Sequence, residues 1–341
     1  MASRITASGA SGAVLVTGGA GYIGSHAVKA LAGAGRRVVV YDDLSEGHRA
    51  AVRGIELVEG DTRDVARLRD VIASNGVTSV MHFAAWAAVG ESVADPAGYY
   101  RNNVTGTLGL LEAMAREGVP LFIFSSTAAV FGEPERVPID ESHPTRPINP
   151  YGETKLIVER ALAHYERAYG IRSICLRYFN AAGADPDGAL GEDHHPERHL
   201  IPLALRAAAG GPPLRVFGTD YPTPDGTCLR DYIHVTDLAR AHVLGLEGLE
   251  AGRASTVYNL GNGRPYSVRE VMAAVERVTG RPVAHELAAR RPGDPAVLYA
   301  SSGRIQADLG WRPRFEDLDT IVGTAWQWLE AHPGGYEGER S

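Results

Sequence analysis

The chain has 341 residues, 44% of them hydrophobic, with a net charge of −7. That acidic balance argues against a general binder of nucleic acid or anionic membranes, which needs a basic excess, and no apolar stretch approaches the roughly 18 residues of a membrane span. Cys175 and Cys228 lie far apart with no Cys-x-x-Cys pair, so a reducing cytosol is expected rather than a disulfide framework.

Residues 1–12 are small and polar and read as a flexible tail. Ala13 to Thr17 is a short apolar run ending in glycines, as suits a strand buried on both faces of a parallel sheet. Tyr22 to Ala32 predicts a helix stopped by Gly33 and Gly35, and Arg37 to Tyr41 the next buried strand, closed by Asp42. The alternation continues with strands near Ile55–Glu59, Ser79–Phe83 and Leu121–Ser125, a helix from Asp64 and another over Pro96–Glu117. A helix follows Pro150, and a strand lies near Arg172–Tyr178. Such alternation implies right-handed βαβ units and an α/β class, a Rossmann-like doubly wound parallel sheet.

The rhythm changes after Asn180. Residues 181–199 read as a loop rich in Gly, Asp and His, followed by a helix at Ile201–Ala209 and a short strand near Arg215–Phe217. Asp231–Val235, a helix from Thr236, and Thr256–Leu260 look like returns to the first sheet. From Ser267 onward, a helix, a turn at Arg290–Asp294 and a helix ending near His332 predict a smaller lobe. The expected division is a dinucleotide-binding domain over 13–180, rejoined by 231–262, with a smaller interleaved C-terminal substrate-binding domain over 181–230 and 263–341.

Gly18, Gly21 and Gly24 recur at spacing three between the first strand and its helix. The first permits a tight turn, the second lets backbone approach a pyrophosphate, and the third packs helix on strand, with the helix N-terminus facing phosphate charge. Tyr22 and Ile23, inside that turn, join the expected cofactor contacts. Asp42 can accept hydrogen bonds from ribose hydroxyls and would repel a 2′-phosphate, which favours NAD over NADP. Asp43 keeps the region acidic. Asp61 can cap the adenine edge, with a plain turn or helix cap as the competing reading.

Pro150 presets a helix start, so Tyr151 and Lys155 stand four apart on one face. A nearby ammonium and a cationic nicotinamide both favour phenolate, bringing the phenol down from its usual value of about 10. Tyr151 can then take a proton while hydride leaves a carbon, and Thr127, after a strand end, can share the substrate hydrogen bond.

These residues together resemble the extended short-chain dehydrogenase/reductase superfamily, and the later motifs resemble its UDP-glucose 4-epimerase branch. They include His82-Phe83-Ala84, Val89-Gly90-Glu91-Ser92, Asn102-Asn103-Val104, Arg177-Tyr178-Phe179-Asn180, Gly191-Glu192-Asp193, Arg230-Asp231-Tyr232-Ile233-His234-Val235 and Arg290-Arg291-Pro292-Gly293-Asp294. The likeness spans about Val14 to Trp311. It implies reversible conversion of UDP-galactose and UDP-glucose with NAD held throughout: Tyr151 deprotonates the C4 hydroxyl, C4 yields hydride, and the 4-keto sugar turns over to take hydride on its other face. It also implies that Phe83, Ala84, Asn102 and Tyr178 touch NAD. Asn180, His199, Leu200, Phe217, Arg230, Tyr232, Arg291 and Asp294 would hold the UDP, the arginines neutralising a diphosphate. A homodimer through helices at about 98–117 and 151–169, in the cytoplasm, follows from the same likeness.

Thr127 stands where the family often has serine, Ala87 where a lysine is frequent, and His199 where asparagine is common. Leu298 falls at a variable position lining the sugar pocket, which leaves UDP-N-acetylhexosamine and UDP-pentose open as alternative substrates. A dehydratase needs an added acid and base after the strand-end threonine, whereas Thr127 precedes Ala128, Ala129 and Val130. A net dehydrogenase and a non-catalytic NAD sensor are the remaining rivals, the latter having no need of Tyr151 and Lys155. Glu192, Asp193, His194, His195, Glu197 and His199 have the look of a metal cluster, but the chemistry needs no ion and no metal is expected.

Overall fold

The computed structural model describes residues 12–291 and 294–336. The expected tail therefore lies outside the described residues except for Gly12, and so do Pro292 and Gly293 of the arginine-rich turn.

Seven parallel strands form the main sheet. They are β1 (Ala13–Thr17), β2 (Val38–Asp42), β3 (Glu56–Glu59), β4 (Val77–His82), β5 (Leu121–Thr127), β6 (Arg172–Tyr178) and β10 (Thr256–Leu260), in the order β10-β6-β5-β4-β1-β2-β3. Residues of β1, β2 and β5 are buried along their whole length, which is why these strands read as continuous apolar runs rather than alternating ones. Helix α1 (Tyr22–Gly33) and α8 (Val235–Glu250) share one face, where Val28 and Leu31 pack with Leu238, Leu246 and Leu249. Helices α2 (Val65–Asn75), α5 (Gly106–Glu117) and α6 (Pro150–Tyr169) cover the other, through Leu68, Leu110, Met114, Val158 and Leu162. The chain runs outward from β1 through β2 and β3, then crosses back to β4. A crevice opens beyond the carboxyl ends of the strands where the order reverses, between β1 and β4, and ligands bind such sheets there.

The stretch expected as one helix over Pro96–Glu117 is helical throughout but not α-helical throughout: α4 (Pro96–Tyr99), a π-helical segment at Tyr100–Thr105 and α5 follow one another without a gap, and α3 (Val89–Ala94) precedes them. The wider turn is local, and composition carries no mark of it.

The second lobe holds β7 (Asn180–Ala182), α7 (Leu200–Ala208), β8 (Leu214–Phe217), β9 (Leu229–His234), β11 (Pro265–Ser267), α9 (Val268–Thr279), β12 (His285–Ala288), β13 (Val297–Leu298) and α11 (Leu318–Ala331), with α10 (Gly303–Leu309) beside β10. Val268, Val271, Met272 and Val275 recur at helical spacing along α9 and are buried with Ile201, Leu205, Ile321 and Val322. Ser267 and Glu270 close a capping box at its start.

One expectation is corrected. β10 joins the first sheet, but β9 does not: it pairs with β7, β11 and β13 in a separate sheet. An apolar strand looks the same in sequence whichever sheet it enters. The chain thus crosses between lobes after β6, after β9 and again after β10.

Candidate active site

The glycine-rich turn sits at the switch point. Gly18 has φ of +70°, and a Cβ there would lie 2.3 Å from the Ala84 nitrogen, while one at Gly24 would lie 2.1 Å from the Gly18 carbonyl. Both glycines are demanded by the fold itself. Gly21 is not: a Cβ there would meet only the Gly18 oxygen, at 3.5 Å. The space beside its α-carbon faces out of the protein at the N-terminus of α1, as close approach by a pyrophosphate requires.

Phe83 and Ala84 both donate backbone N–H groups to the Thr17 carbonyl, at 2.8 and 3.1 Å, which fixes the far wall of the crevice. Beneath it, Thr17 Oγ1 lies 2.6 Å from His82 Nδ1, and His82 Nε2 lies 2.7 Å from Thr107 Oγ1. Burial, with Lys155 adding to it, pushes His82 down to about 3.

Asp42, at the end of β2, is buried and accepts the Ala20 N–H at Oδ2 and the Leu44 N–H at Oδ1, both at 2.9 Å. Burial raises its pKa and these two amides oppose the rise. The carboxylate shapes the glycine turn and keeps lone pairs for ribose hydroxyls, so the residues present fit a dinucleotide. Asp43 is turned to the Ser45 amide and hydroxyl. Asp61 is gripped by Arg63, which holds its carboxyl low; its role as a local cap is thus visible. Tyr22 spends its hydroxyl on the Gly183 carbonyl, 2.6 Å away. Ile23 packs against the core, and the Asn102 amide donates to Asn103 Oδ1.

The proton-transfer residues converge. Thr127 ends β5, and Asn149 caps α6 by accepting the Gly152 N–H at 2.9 Å. A Cβ at Gly152 would lie 2.4 Å from the Ala129 carbonyl. Only glycine lets the first turn of α6 press against the 128–131 turn, and that contact puts the Tyr151 phenol in hydrogen-bonding reach of Thr127. Tyr151 keeps part of its surface open. Lys155 is buried, donates to the Ser125 carbonyl at 2.9 Å and lies 5.0 Å from the centre of the Phe124 ring. Burial lowers it to about 7, against the pull of Glu159.

The expected lowering of the Tyr151 phenol is absent in the protein alone. Burial raises it, with the Thr127 hydrogen bond the opposing influence. The lysine charge is engaged at the Ser125 carbonyl and does not offset desolvation of the phenol.

Tyr178 stands opposite Thr127 in the β5–β6 register, and its hydroxyl is hydrogen-bonded to Ser125. Glu159 accepts from Ser126 at 2.6 Å and from Arg177 Nε at 2.9 Å, a buried pair whose guanidinium also lies 5.1 Å from the Phe131 ring centre. Ser125, Ser126 and Glu159 were not singled out from the sequence. A second carboxylate one helical turn beyond Lys155 is the signal that could have found Glu159. Asn103, named in a resemblance motif but given no role there, clasps the Trp86 backbone at both its N–H and C=O and reaches Thr154 on α6.

In the second lobe the expected residues fall into small groups. Asn180 faces Tyr232 across β7 and β9 and donates to the Asp231 carbonyl at 3.0 Å. Arg230 is ion-paired with Asp294 and donates to the carbonyls of Leu229 and Pro295. Arg291 lies 3.9 Å over the Phe217 ring. Both arginines therefore converge on the loop after β12. His199 and Leu200 open α7, where His199 Nδ1 is bonded to Glu192. Buried Glu192 would be raised by burial, but His199 and His194 hold it at about 2. His194, which burial would lower, is raised to about 10 by Glu192 and Glu197.

Fold and site define a dinucleotide-dependent enzyme of the short-chain dehydrogenase type, with its tyrosine and lysine at the switch point of a Rossmann sheet. The chain belongs to the NAD dependent epimerase/dehydratase family, whose pattern matches residues 14–261. It is 51% identical over 328 residues to the UDP-glucose 4-epimerase of Halalkalibacterium halodurans, covering 96% of this chain and 98% of that one. The solved UDP-glucose 4-epimerase of Brucella ovis in complex with NAD is 55% identical, with a TM-score of 0.91 over 93% of this chain and 98% of its own. That of Bifidobacterium longum in complex with NAD+ and UDP is 39% identical, with a TM-score of 0.90 over 95% and 99%.

Proposed function

We propose that this chain inverts C4 of UDP-hexoses, interconverting UDP-galactose and UDP-glucose with NAD kept in place. The observation that carries the reading is the start of α6, with Tyr151 and buried Lys155, held against the end of β5 that carries Thr127 through the Lys155–Ser125 hydrogen bond and the close fit of Gly152 on Ala129. Bound NAD supplies the acceptor and then donor of the C4 hydride, and its positive ring adds the field that favours phenolate. Thr127 and Tyr151 orient the C4 hydroxyl between them. Tyr151 takes its proton and later returns one to the same oxygen, while Lys155, fixed by the Ser125 carbonyl, keeps a cation beneath the site. Ala128, Ala129 and Val130 offer no second acid or base, so elimination has no agent.

In this reading the first lobe, 13–179 with 235–262, holds NAD through Gly18, Gly21, Tyr22, Ile23, Gly24, Asp42, Asp43, Asp61, Phe83, Ala84, Asn102 and Tyr178. The second, 180–234 with the chain from 263 on, holds UDP through Asn180, His199, Leu200, Phe217, Arg230, Tyr232, Arg291 and Asp294. The complex of the Bifidobacterium longum relative with NAD+ and UDP supports a site for both a dinucleotide and a UDP group. Leu298 packs against the small apolar cluster of Ala128, Val130, Phe131, Ile139 and Leu156 that follows Thr127 in the chain, a position suited to limiting the sugar. A homodimer through the 98–117 and 151–169 helices, where Tyr100 and Tyr169 are exposed, and a cytosolic setting with both thiols free complete the proposal.

Proton NMR of the purified protein with UDP-galactose and no added cofactor tests it. Build-up of UDP-glucose without net NADH is expected. Failure to convert UDP-galactose even with NAD present overturns the hexose reading, and turnover of UDP-N-acetylgalactosamine or UDP-arabinose alone would reassign the sugar.

A further inference from the structure

The histidine-rich loop discounted from the sequence folds into a compact cluster. Glu192, His194, Glu197 and His199 each offer one ligand atom, and these atoms all lie within 4.8 Å of one another. His194 Nδ1 is 3.2 Å from Glu192 Oε1 and 3.8 Å from Glu197 Oε1, and His199 Nδ1 is 3.7 Å from Glu197 Oε1. Zinc bound tetrahedrally by nitrogen and oxygen at roughly 2.0–2.2 Å sets neighbouring ligands about 3.3–3.6 Å apart. Those separations bracket that edge, and the closer His199–Glu192 contact needs only to open.

A second observation points the same way. The Glu197 side chain is 1% exposed; its Oε1, the oxygen nearest the two imidazoles, accepts the Arg198 and His199 backbone N–H groups at 2.7 and 2.9 Å, whereas its Oε2 has no hydrogen-bond partner among the described residues and stands 4.0 Å from Arg206. His194 Nδ1 is likewise buried without one: it lies within ion-pair reach of Glu192 but lacks the alignment of a hydrogen bond. Two buried polar atoms without partners at one cluster are costly unless a further group, such as an ion shared by the four side chains, satisfies them.

We infer that Glu192, His194, Glu197 and His199 form a structural site for a divalent transition cation, with zinc the best match. Two imidazoles and two carboxylates in a tetrahedral set suit that ion, and its charge balances the two carboxylates. Four protein ligands leave no open position, so the ion would brace rather than catalyse. What it braces is the junction of the lobes. Tyr22 of α1 donates to Gly183, its ring meets His194 edge-on at 6.2 Å, and Lys29 of α1 pairs with Asp185 and Asp187. His199 begins α7. Because His199 Nδ1 belongs to the cluster, any contact of that ring with a nucleotide falls to Nε2.

The full-length protein is stripped with a chelator, then titrated with Zn²⁺ against a chromophoric competitor, with bound metal counted by mass spectrometry. One tightly held equivalent is expected, together with a rise in Tm and, with Co²⁺, the visible bands of a tetrahedral complex. His194→Ala and Glu197→Gln should each weaken Zn²⁺ by roughly ten-fold or more, while His195→Ala, beside the cluster but outside it, should not. Failure of the unmutated protein to take up an equivalent overturns the site irrespective of how the variants fold. Loss in His195→Ala with retention in His194→Ala overturns the ligand assignment.

Discussion

Tyr151 and Asp42 carry the sharpest residue-scale expectations. Removing the phenol hydroxyl in Tyr151→Phe should lower kcat by about 10²–10⁴-fold while bound NAD and the fold survive; near-normal turnover would exclude it as the base. Asp42→Ala removes both the ribose acceptor and the anchor of the Ala20 amide, so NAD should dissociate faster on gel filtration. Unchanged retention would count against the ribose role. Tyr151, Lys155 and Thr127 were legible because chemistry demands those types at that spacing. Ser125 and Glu159 were not, because a serine or glutamate in a strand or helix declares nothing until the fold brings it to the lysine.

Helix packing sets the second group of expectations. Gly152→Ala forces a methyl to within 2.4 Å of the Ala129 carbonyl, so α6 must back away and carry Tyr151 from Thr127. A loss of turnover larger than the loss of NAD should result, read by steady-state kinetics beside cofactor content. Gly33→Ala is its counterpart: nothing lies within 4 Å of a Cβ there, and in the last turn of α1 alanine should raise stability by about 0.5–1 kcal/mol in urea titrations. Removing the cap of α9 in Ser267→Ala should cost about 1 kcal/mol. Strands such as β1 and β2 could be anticipated from continuous apolar runs. The π-helical segment at Tyr100–Thr105 and the three-residue β7 and β11 could not, since a one-residue widening or a three-residue pairing leaves no periodicity to read.

Acid stability belongs to the molecule as a whole. His26, His82, His234 and His242 are buried and held neutral, at about 4, 3, 3 and 4, chiefly by burial. The unfolded chain titrates them near 6.5, so below that pH it binds more protons than the fold does. Their contribution is intact above pH 6.5 and is lost as pH falls toward 4, by up to about 1.4 kcal/mol per pH unit for each. The urea midpoint should therefore drop steeply between pH 7 and 5, and replacing His242 with an uncharged residue of similar size should soften the drop. A flat midpoint over that range would contradict neutral burial.

The weaving of the chain between its two lobes has a hereditary side. β9 lies in one sheet, the helix that follows it packs on α1 against the other, and β10 closes that sheet's edge before the chain leaves again. No single cut separates one lobe from the other. A gene of this shape cannot trade its specificity as a cassette; recombination within it would leave each lobe short of a strand or helix. New preferences must arise by replacement in place, on a scaffold inherited entire.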